Sequence, residues 1–314
     1  MKILNFLVIG AGAIGRRHSC NIRKLGHNCK VISYRKLVDL DVILSNGKFD
    51  GVIVATASQI RLEVLMPCAN RLIPMYIEKP IAFEYEVLNK IYAFPQSYLK
   101  TCFAGFMMRF HPLTNFALSI DYSDAYNFSF NIGYDVNLWR SDWKFSKSYS
   151  SKPDGGGVLL DLCHEIDLAN LFFSPVRLCE VVCLGHRDFT NVDFLSHITF
   201  TNSNNLIGSV TMDYLSPVNH RNLVIKGVNY IDEIDFIASS YKRKSSDGII
   251  HREFSFDRNQ MFIDSMRSFS KSVLGEKMDT VVLPSLDQVK SSCELISNAW
   301  SNRSFVGFVE GEIL

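Results

Sequence analysis

The sequence predicts a two-domain α/β protein: an N-terminal doubly wound parallel sheet, then an α+β domain with an open, mostly antiparallel sheet. Three observations carry this. The first part of the chain alternates short apolar runs with helical patterns, as βαβ units require. A glycine-rich turn, Gly10-Ala-Gly-Ala-Ile-Gly15, joins the first such run to the first helix. After His111-Pro112 the pattern changes to strands with period-two alternation. A chain of 314 residues suits two domains, placed here at 1–112 and 113–314.

Composition narrows the function classes. With 47% hydrophobic and 21% charged residues the chain reads as an ordinary globular protein, and a net charge of +1 gives no reason to expect nucleic acid or an anionic membrane as partner. No apolar run approaches the roughly 20 residues needed to cross a bilayer. Met1 to Gly15 is apolar, but it is broken by glycines and lacks a small-residue cleavage site, so it is not read as an export signal. The eight cysteines are scattered and read as reduced thiols in a cytoplasmic protein. Cys179 and Cys183 are expected on one face of a strand.

In chain order, Lys2 to Ile9 is a strand, the glycines make a turn, and Arg16 to Leu25 is a helix ended by Gly26. That context makes GxGxxG a dinucleotide fingerprint: Gly10 for the turn, Gly12 for approach of a pyrophosphate, Gly15 for close helix–strand packing. The helix start supplies N–H groups and a favourable field for phosphate. The first domain is therefore a Rossmann unit. The next strand, Cys29 to Tyr34, ends in Ser33-Tyr34-Arg35 with no acid for a ribose 2′-hydroxyl. Arg35 suits a 2′-phosphate and so favours NADP(H), with NAD(H) the alternative; stacking on adenine or simple exposure are other readings of the same side chain. Residues 36–49 are too few for a full helix and strand. Asp50 to Ala57 and Met75 to Ile77 are buried parallel strands separated by a helix at Ile60 to Asn70. Lys79, in Glu78-Lys79-Pro80, stands at a carboxyl strand end, where open parallel sheets bind ligands. Pro80 is expected to keep it extended. Glu84 to Ala93 is a helix and Leu99 to Phe106 a strand.

In the second domain, strands are expected at Tyr126 to Gly133, Arg177 to Gly185, Leu195 to Phe200, Leu206 to Asp213 and Asn222 to Gly227. A solvated hairpin tip is expected at Tyr241 to Gly248, and helices at Arg258 to Val273 and Leu286 to Trp300. Among the strands lies Gly155-Gly-Gly-Val-Leu-Leu-Asp-Leu-Cys-His-Glu-Ile-Asp167. Read as one helix after a glycine turn, it sets Asp161, His164 and Glu165 one turn apart on one face. A helix start lowers, and a neighbouring carboxylate raises, the proton affinity of such a histidine, and the sequence does not choose between them. No metal is expected: HExxH would need a second histidine where Leu168 stands.

GAGAIG at 10–15, EKP at 78–80, GFMMRFHP at 105–112 and the glycine-rich segment at 155–167 together resemble the glucose-fructose oxidoreductase / inositol dehydrogenase (Gfo/Idh/MocA) family. The resemblance extends over nearly the whole chain, through Ser285-Leu-Asp287 and Ala299-Trp-Ser301. It is strongest to a branch associated with bacterial surface-sugar pathways, which has a DLSHEID-like segment, a preceding tyrosine-serine pair (Tyr149-Ser150) and an LDYL-like strand (Met212-Asp-Tyr-Leu215). It implies an NAD(P)-dependent oxidoreductase acting on a sugar or nucleotide-sugar hydroxyl or keto group. Lys79 and His164 would be catalytic, with Asp161 orienting a partner or facing elsewhere. The histidine follows the aspartate by three residues rather than the common four, and Ala57 and Arg61 replace the proline and histidine usual in the family.

Cofactor contacts are expected from Gly10, Gly12, Ala13, Ile14, Gly15, Tyr34, Arg35, Ala55, Thr56, Glu78, Lys79 and Arg109. Substrate contacts are expected from Arg140, Trp143, Tyr149, Asp161 and His164; Arg140, Lys144, Lys147 and Lys152 are candidates for a substrate pyrophosphate. A homodimer or homotetramer through the second sheet is implied. A non-catalytic dinucleotide or sugar sensor, and a reductase of a non-sugar carbonyl, are the alternatives.

Overall fold

The structure is a computed structural model that describes residues 2–37, 39–138, 144–276, 278, 282–311 and 313. The chain divides into two compact units, Met1–Phe110 with Asp257–Cys293, and His111–Phe256 with Glu294–Leu314.

The first unit begins β1 (Asn5–Ile9), α1 (Ala13–Lys24), β2 (Asn28–Ile32), α2 (Leu40–Asn46), β3 (Gly51–Val54), α3 (Arg61–Ala69), β4 (Met75–Ile77), α4 (Tyr85–Tyr92), α5 (Gln96–Leu99) and β5 (Phe103–Ala104). All strand pairs are parallel, in the order β2-β1-β3-β4-β5. The apolar runs of β1, β3 and β4 are buried on both faces, as a parallel sheet covered by helices demands. The segment after β2 does hold a helix, α2, because the Asp39 side chain caps it by accepting from the Val42 amide at 3.1 Å. Among the described residues no further strand pairs with β2, which is the edge of the sheet. The strand expected at 99–106 shrinks to two residues because α5 takes its start.

The first unit is not one continuous stretch, which corrects the simple division at 112. Helix α9 (Arg258–Val273) returns to it, because its apolar stripe needs a partner and finds one in this core. Phe269 meets Phe6, Tyr76 and Phe103 at ring separations of 5.9, 5.8 and 5.7 Å. The Ala104 amide also donates to the Pro284 carbonyl at 2.7 Å.

The second unit contains α6 (Pro112–Leu118), β6 (Ala125–Gly133), α7 (Val158–Asp161), α8 (His164–Phe173), β7 (Arg177–His186), β8 (Phe189–Thr201), β9 (Ile207–Asp213), β10 (His220–Gly227), β11 (Tyr230–Asp235), β12 (Ser240–Ser245), β13 (Gly248–Glu253) and β14 (Ser304–Val309). The final helix, α10 (Lys290–Ser301), precedes β14. The sheet order is β13-β12-β11-β10-β6-β9-β8-β7-β14, antiparallel except for β6–β9 and β7–β14. One face is aromatic, and α8 packs on it: Phe173 stacks on Phe128 at 4.4 Å, and Phe172 lies 6.4 Å from Phe130. The solvated hairpin tip expected at Tyr241 to Gly248 is corrected: Tyr241 to Ser245 belong to β12, with Tyr241 buried and Arg243 paired to Asp232 at 2.7 Å, and only Ser246 and Asp247 form the turn to β13. Cys179 and Cys183 do not share an environment, since a bulge between Leu178 and Glu180 changes the face and leaves Cys179 exposed and Cys183 buried.

His111 caps α6, its Nδ1 accepting from the Leu113 amide at 3.1 Å. Burial, helped by the Arg221 cation and only partly opposed by a backbone bond with Phe236, pulls its pKa from 6.5 to about 4. The unfolded chain therefore takes up a proton that the folded unit resists. Stability is intact above pH 6.5 and falls as the pH drops towards 4, by about 3 kcal/mol across the window. Urea titrations of His111→Asn, which keeps a capping side chain without the charge, should show a flatter slope between those pH values. An unchanged slope would remove His111 from the acid response.

Candidate functional site

In the first unit the chemistry gathers at the carboxyl ends of β1, β3 and β4. Gly10 sits at φ +121°, and a Cβ there would lie 2.3 Å from the Ala55 carbonyl oxygen; one on Gly15 would lie 1.8 Å from the Gly10 carbonyl. Both glycines are obligatory for the turn. Gly12 differs, because a Cβ there would meet nothing within 4 Å. It N-caps α1 with no side-chain hydrogen bond, and Gly12 and Ala13 are exposed beside half-buried Ile14. A helix start with uncovered amides and room above its glycine fits the pyrophosphate of a dinucleotide.

At the end of β2, Tyr34 donates to Glu63 at 2.7 Å, which raises the phenol pKa, while Arg35 and Lys36 stand exposed. Ala55 and Thr56 follow β3, half-buried, and Arg109 is buried in a 3-10 turn at Met107–Phe110. Lys79 is half-buried after β4, and its bond to Pro80 is cis.

Two side chains fix this strand end: Arg61, noted in the sequence only as standing where the family usually has histidine, and His18, which sequence reasoning passed over. Arg61 is buried; it donates to the carbonyls of Glu78 at 2.6 Å and Thr56 at 2.6 Å, and also to that of Pro80. One guanidinium thus ties the chain leaving β3 to the chain leaving β4. His18, on the buried side of α1, places Nε2 2.6 Å from Glu78 Oε1. Burial pushes the Glu78 pKa up, but the His18 bond and the charges of His18, Lys79 and Arg61 outweigh it and hold the carboxyl below its usual range. The Glu78 carboxylate is therefore turned to His18. The spacing of His18 from Gly15 along the helix was the only signal for it.

In the second unit the glycine-rich segment is a turn followed by two helices. Gly155 and Gly157 have φ of +81° and +96°. The Gly157 amide donates to the Ser150 carbonyl at 2.9 Å, and a Cβ on Gly156 would fall 2.4 Å from the Lys152 carbonyl. Asp193, fully buried on β8, accepts from the Leu159 amide at 2.8 Å, from Ser196 at 2.8 Å and from Arg303 at 2.6 Å. It anchors the first turn of α7.

Helix α7 stops at Asp161 and α8 starts at His164, which corrects the single-helix reading. Leu162 and Cys163, with ψ of 24° and 0°, open the turn between them, so i, i+3 spacing no longer puts Asp161 and His164 on one helical face. Asp161, 6% exposed, accepts from Tyr149 at 2.7 Å through Oδ1, and from Ser150 at 2.7 Å and Tyr214 at 2.5 Å through Oδ2. Burial and the adjacent Asp161 raise the Tyr214 pKa well above its ordinary value. His164 is buried in the first turn of α8, and Glu165 beside it forms an ion pair with Arg221 at 2.8 Å. Lys144 and Lys152 are exposed, as is Lys147. Trp139, Arg140 and Trp143 lie outside the described residues. Among the described residues no group of three His, Cys, Asp or Glu side chains could hold a metal, and no helix is long and apolar enough to cross a membrane.

A parallel-sheet unit with a glycine-turn helix start and a second unit with a nine-stranded open sheet define the class of fold. No family model and no curated protein sequence match the chain. Solved structures do. UDP-N-acetylglucosamine 3-dehydrogenase GnnA from Acidithiobacillus ferrooxidans superposes with a TM-score of 0.77 at 14% identity, covering 96% of this chain and 98% of that one. A levoglucosan dehydrogenase in complex with NADH gives 0.76 at 16%, covering 96% of each. A 3-ketoreductase from Actinomadura kijaniata, in complex with NADP and TDP-benzene, gives 0.76 at 15%, covering 98% and 100%. At these identities the likeness is one of fold, and it extends over both units.

Proposed function

We propose that this chain is an NAD(P)-dependent oxidoreductase acting on a hydroxyl or keto carbon of a sugar or nucleotide-activated sugar, in bacterial surface-polysaccharide synthesis. The observation that carries the reading is the helix start at Gly12, open above a glycine turn whose other two glycines tolerate no side chain. The neighbours in fold include a UDP-N-acetylglucosamine 3-dehydrogenase, a levoglucosan dehydrogenase and a 3-ketoreductase, which supports the same class.

The nicotinamide would supply the hydride acceptor or donor; the remaining work belongs to this chain. Amides of Gly12, Ala13 and Ile14 receive the pyrophosphate, and Arg35 meets a 2′-phosphate, which favours NADP(H) over NAD(H). Ala55, Thr56 and Arg109 complete the cofactor contacts. His164 takes the substrate hydroxyl proton, and Lys79 hydrogen-bonds the reacting oxygen. Asp161 acts through the hydroxyls it holds. Lys144, Lys147, Lys152 and Arg140 serve a substrate pyrophosphate, and the second sheet joins copies into a homodimer or homotetramer.

The test is a fluorescence titration followed by turnover on a panel of nucleotide sugars. NADPH should bind more tightly than NADH, and Gly12→Ala should abolish binding while leaving the melting temperature unchanged. Lys79→Ala and His164→Ala should each lower turnover about a hundredfold or more with NADPH affinity retained. Normal turnover in both variants, or tight NADPH binding to Gly12→Ala, would refute the assignment.

A further inference from the structure

We infer that the first unit carries a second ligand site, at the amino ends of β1 and β2, which takes a small organic molecule through a carboxylate or phosphate group. It stands independently of the oxidoreductase reading. A cavity of about 480 Å³ opens there, with Phe6, Arg23, His27, Lys30 and Phe49 in its walls. That is the size of space small organic molecules fill, and more than a lone ion needs. The helix start at Gly12 is at the other end of α1, 12 residues and so about 18 Å away, which lets both sites be filled together. The buried polar anchor is His27, 6% exposed. Its ring is pinned by Phe6, edge-on at 5.7 Å, and its Nδ1 accepts from the Leu4 amide at 3.4 Å. Burial lowers the pKa of this histidine more than the Asp50 charge raises it, so the ring is neutral at pH 7 and its one hydrogen is on Nε2. Nε2 meets no acceptor among the described residues, which leaves a donor for the occupant.

The sign of the occupant follows from the walls. Arg23 and Lys30 bring two cations, and among the described residues no acid lines the cavity. Asp50, the acid that acts on His27, has its carboxylate turned to the Asn5 amide at 2.7 Å. Arg23 is held in place: it donates to the Cys29 carbonyl at 3.1 Å, which sets the guanidinium at the cavity wall with N–H groups to spare. The C-terminal end of α1 would repel an anion if its carbonyls were bare. Those of Asn21, Ile22 and Arg23 instead accept from the amides of Leu25, His27 and Gly26 at 3.0, 3.2 and 3.0 Å. The Phe6 and Phe49 rings supply apolar wall for the body of the ligand.

Amide NMR titrations of the full chain test this with phenyl phosphate, benzoate, inorganic phosphate and, as the neutral counterpart, benzyl alcohol. Phenyl phosphate or benzoate should shift the amides of His27 to Lys30 saturably, with a dissociation constant on the order of 1 mM or tighter, and the His27 Nε2–H resonance should move with them. Benzyl alcohol should bind there at least about tenfold more weakly, as should inorganic phosphate, which lacks the organic body. The double variant Arg23→Gln/Lys30→Gln changes two exposed side chains, so it should keep its melting temperature and lose about tenfold or more in affinity for the anion that binds. The amides of Gly12 to Ile14 report separately on anions drawn to the helix start. No saturable shift at His27 to Lys30 with either organic anion up to on the order of 10 mM would overturn the site, as would shifts confined to Gly12 to Ile14. Equal affinity for benzyl alcohol or for inorganic phosphate, or undiminished binding to the double variant, would overturn it too.

Discussion

Replacing Gly157 with alanine is expected to lower the melting temperature by roughly 6–12 °C, the equivalent of about 3 kcal/mol or more. Two costs add. Gly157 has φ +96° and ψ 163°, a region that side-chain-bearing residues essentially do not enter. A Cβ there would also stand 2.0 Å from Asp193 Oδ1. A flexible carboxylate could swing aside, but this one is held by Leu159, Ser196 and Arg303. Moving it would release the first turn of α7. Gly275→Ala offers a comparison without a collision: its φ is +72° and a Cβ there meets nothing within 4 Å. Differential scanning calorimetry should show a clearly smaller loss for Gly275→Ala than for Gly157→Ala. A Gly157→Ala protein melting within about a degree of the unmodified one would show that Asp193 is free to move.

Arg61→Ala should destabilise the first unit by about 3 kcal/mol or more, the scale for removing a buried charged donor from several acceptors. The carbonyls of Thr56, Glu78 and Pro80 all lose the same guanidinium, and the void is not open to bulk water. Arg61→Lys should recover only part of this, since an ammonium is a point donor and cannot span two strand ends with a planar fork. Urea unfolding of the three proteins reads the order directly. If lysine restores full stability, the fork geometry is irrelevant and charge alone is the tie.

Much of the parallel sheet was legible locally. Runs such as Val52 to Val54 and the turn at Gly10 to Gly15 state their structure within a few residues, because burial on both faces and a glycine-only backbone leave a direct mark. Other features depend on partners distant in sequence. The stripe on α9 announces a helix but not that its cover is Phe6 and Phe103. Arg61 stands in the sequence only as a replacement for the family's usual histidine, and that three carbonyls from two strand ends converge on it needs the fold. Asp193 lies in an alternating strand, and nothing local marks it as the anchor of a turn more than thirty residues earlier. The break at Leu162–Cys163 was hidden because its residues are apolar and suit one continuous helix. Strand β14 is short, carries Gly307 and pairs in parallel with β7, so neither length nor alternation gave it away. In the candidate site, residue types were readable, whereas the hydroxyls that hold Asp161 required the fold.

The return of α9 to the first unit has a consequence for biosynthesis. On a ribosome the strands β1 to β5 emerge long before Phe269, and the whole of 111–256 is made in between. During that interval Phe6, Tyr76 and Phe103 lack the ring that finally covers them. The dinucleotide-type unit therefore cannot mature as an N-terminal module while translation continues. It waits on residues made after 111–256, and translation products that stop before Phe269 would display an unfinished aromatic core to chaperones and proteases.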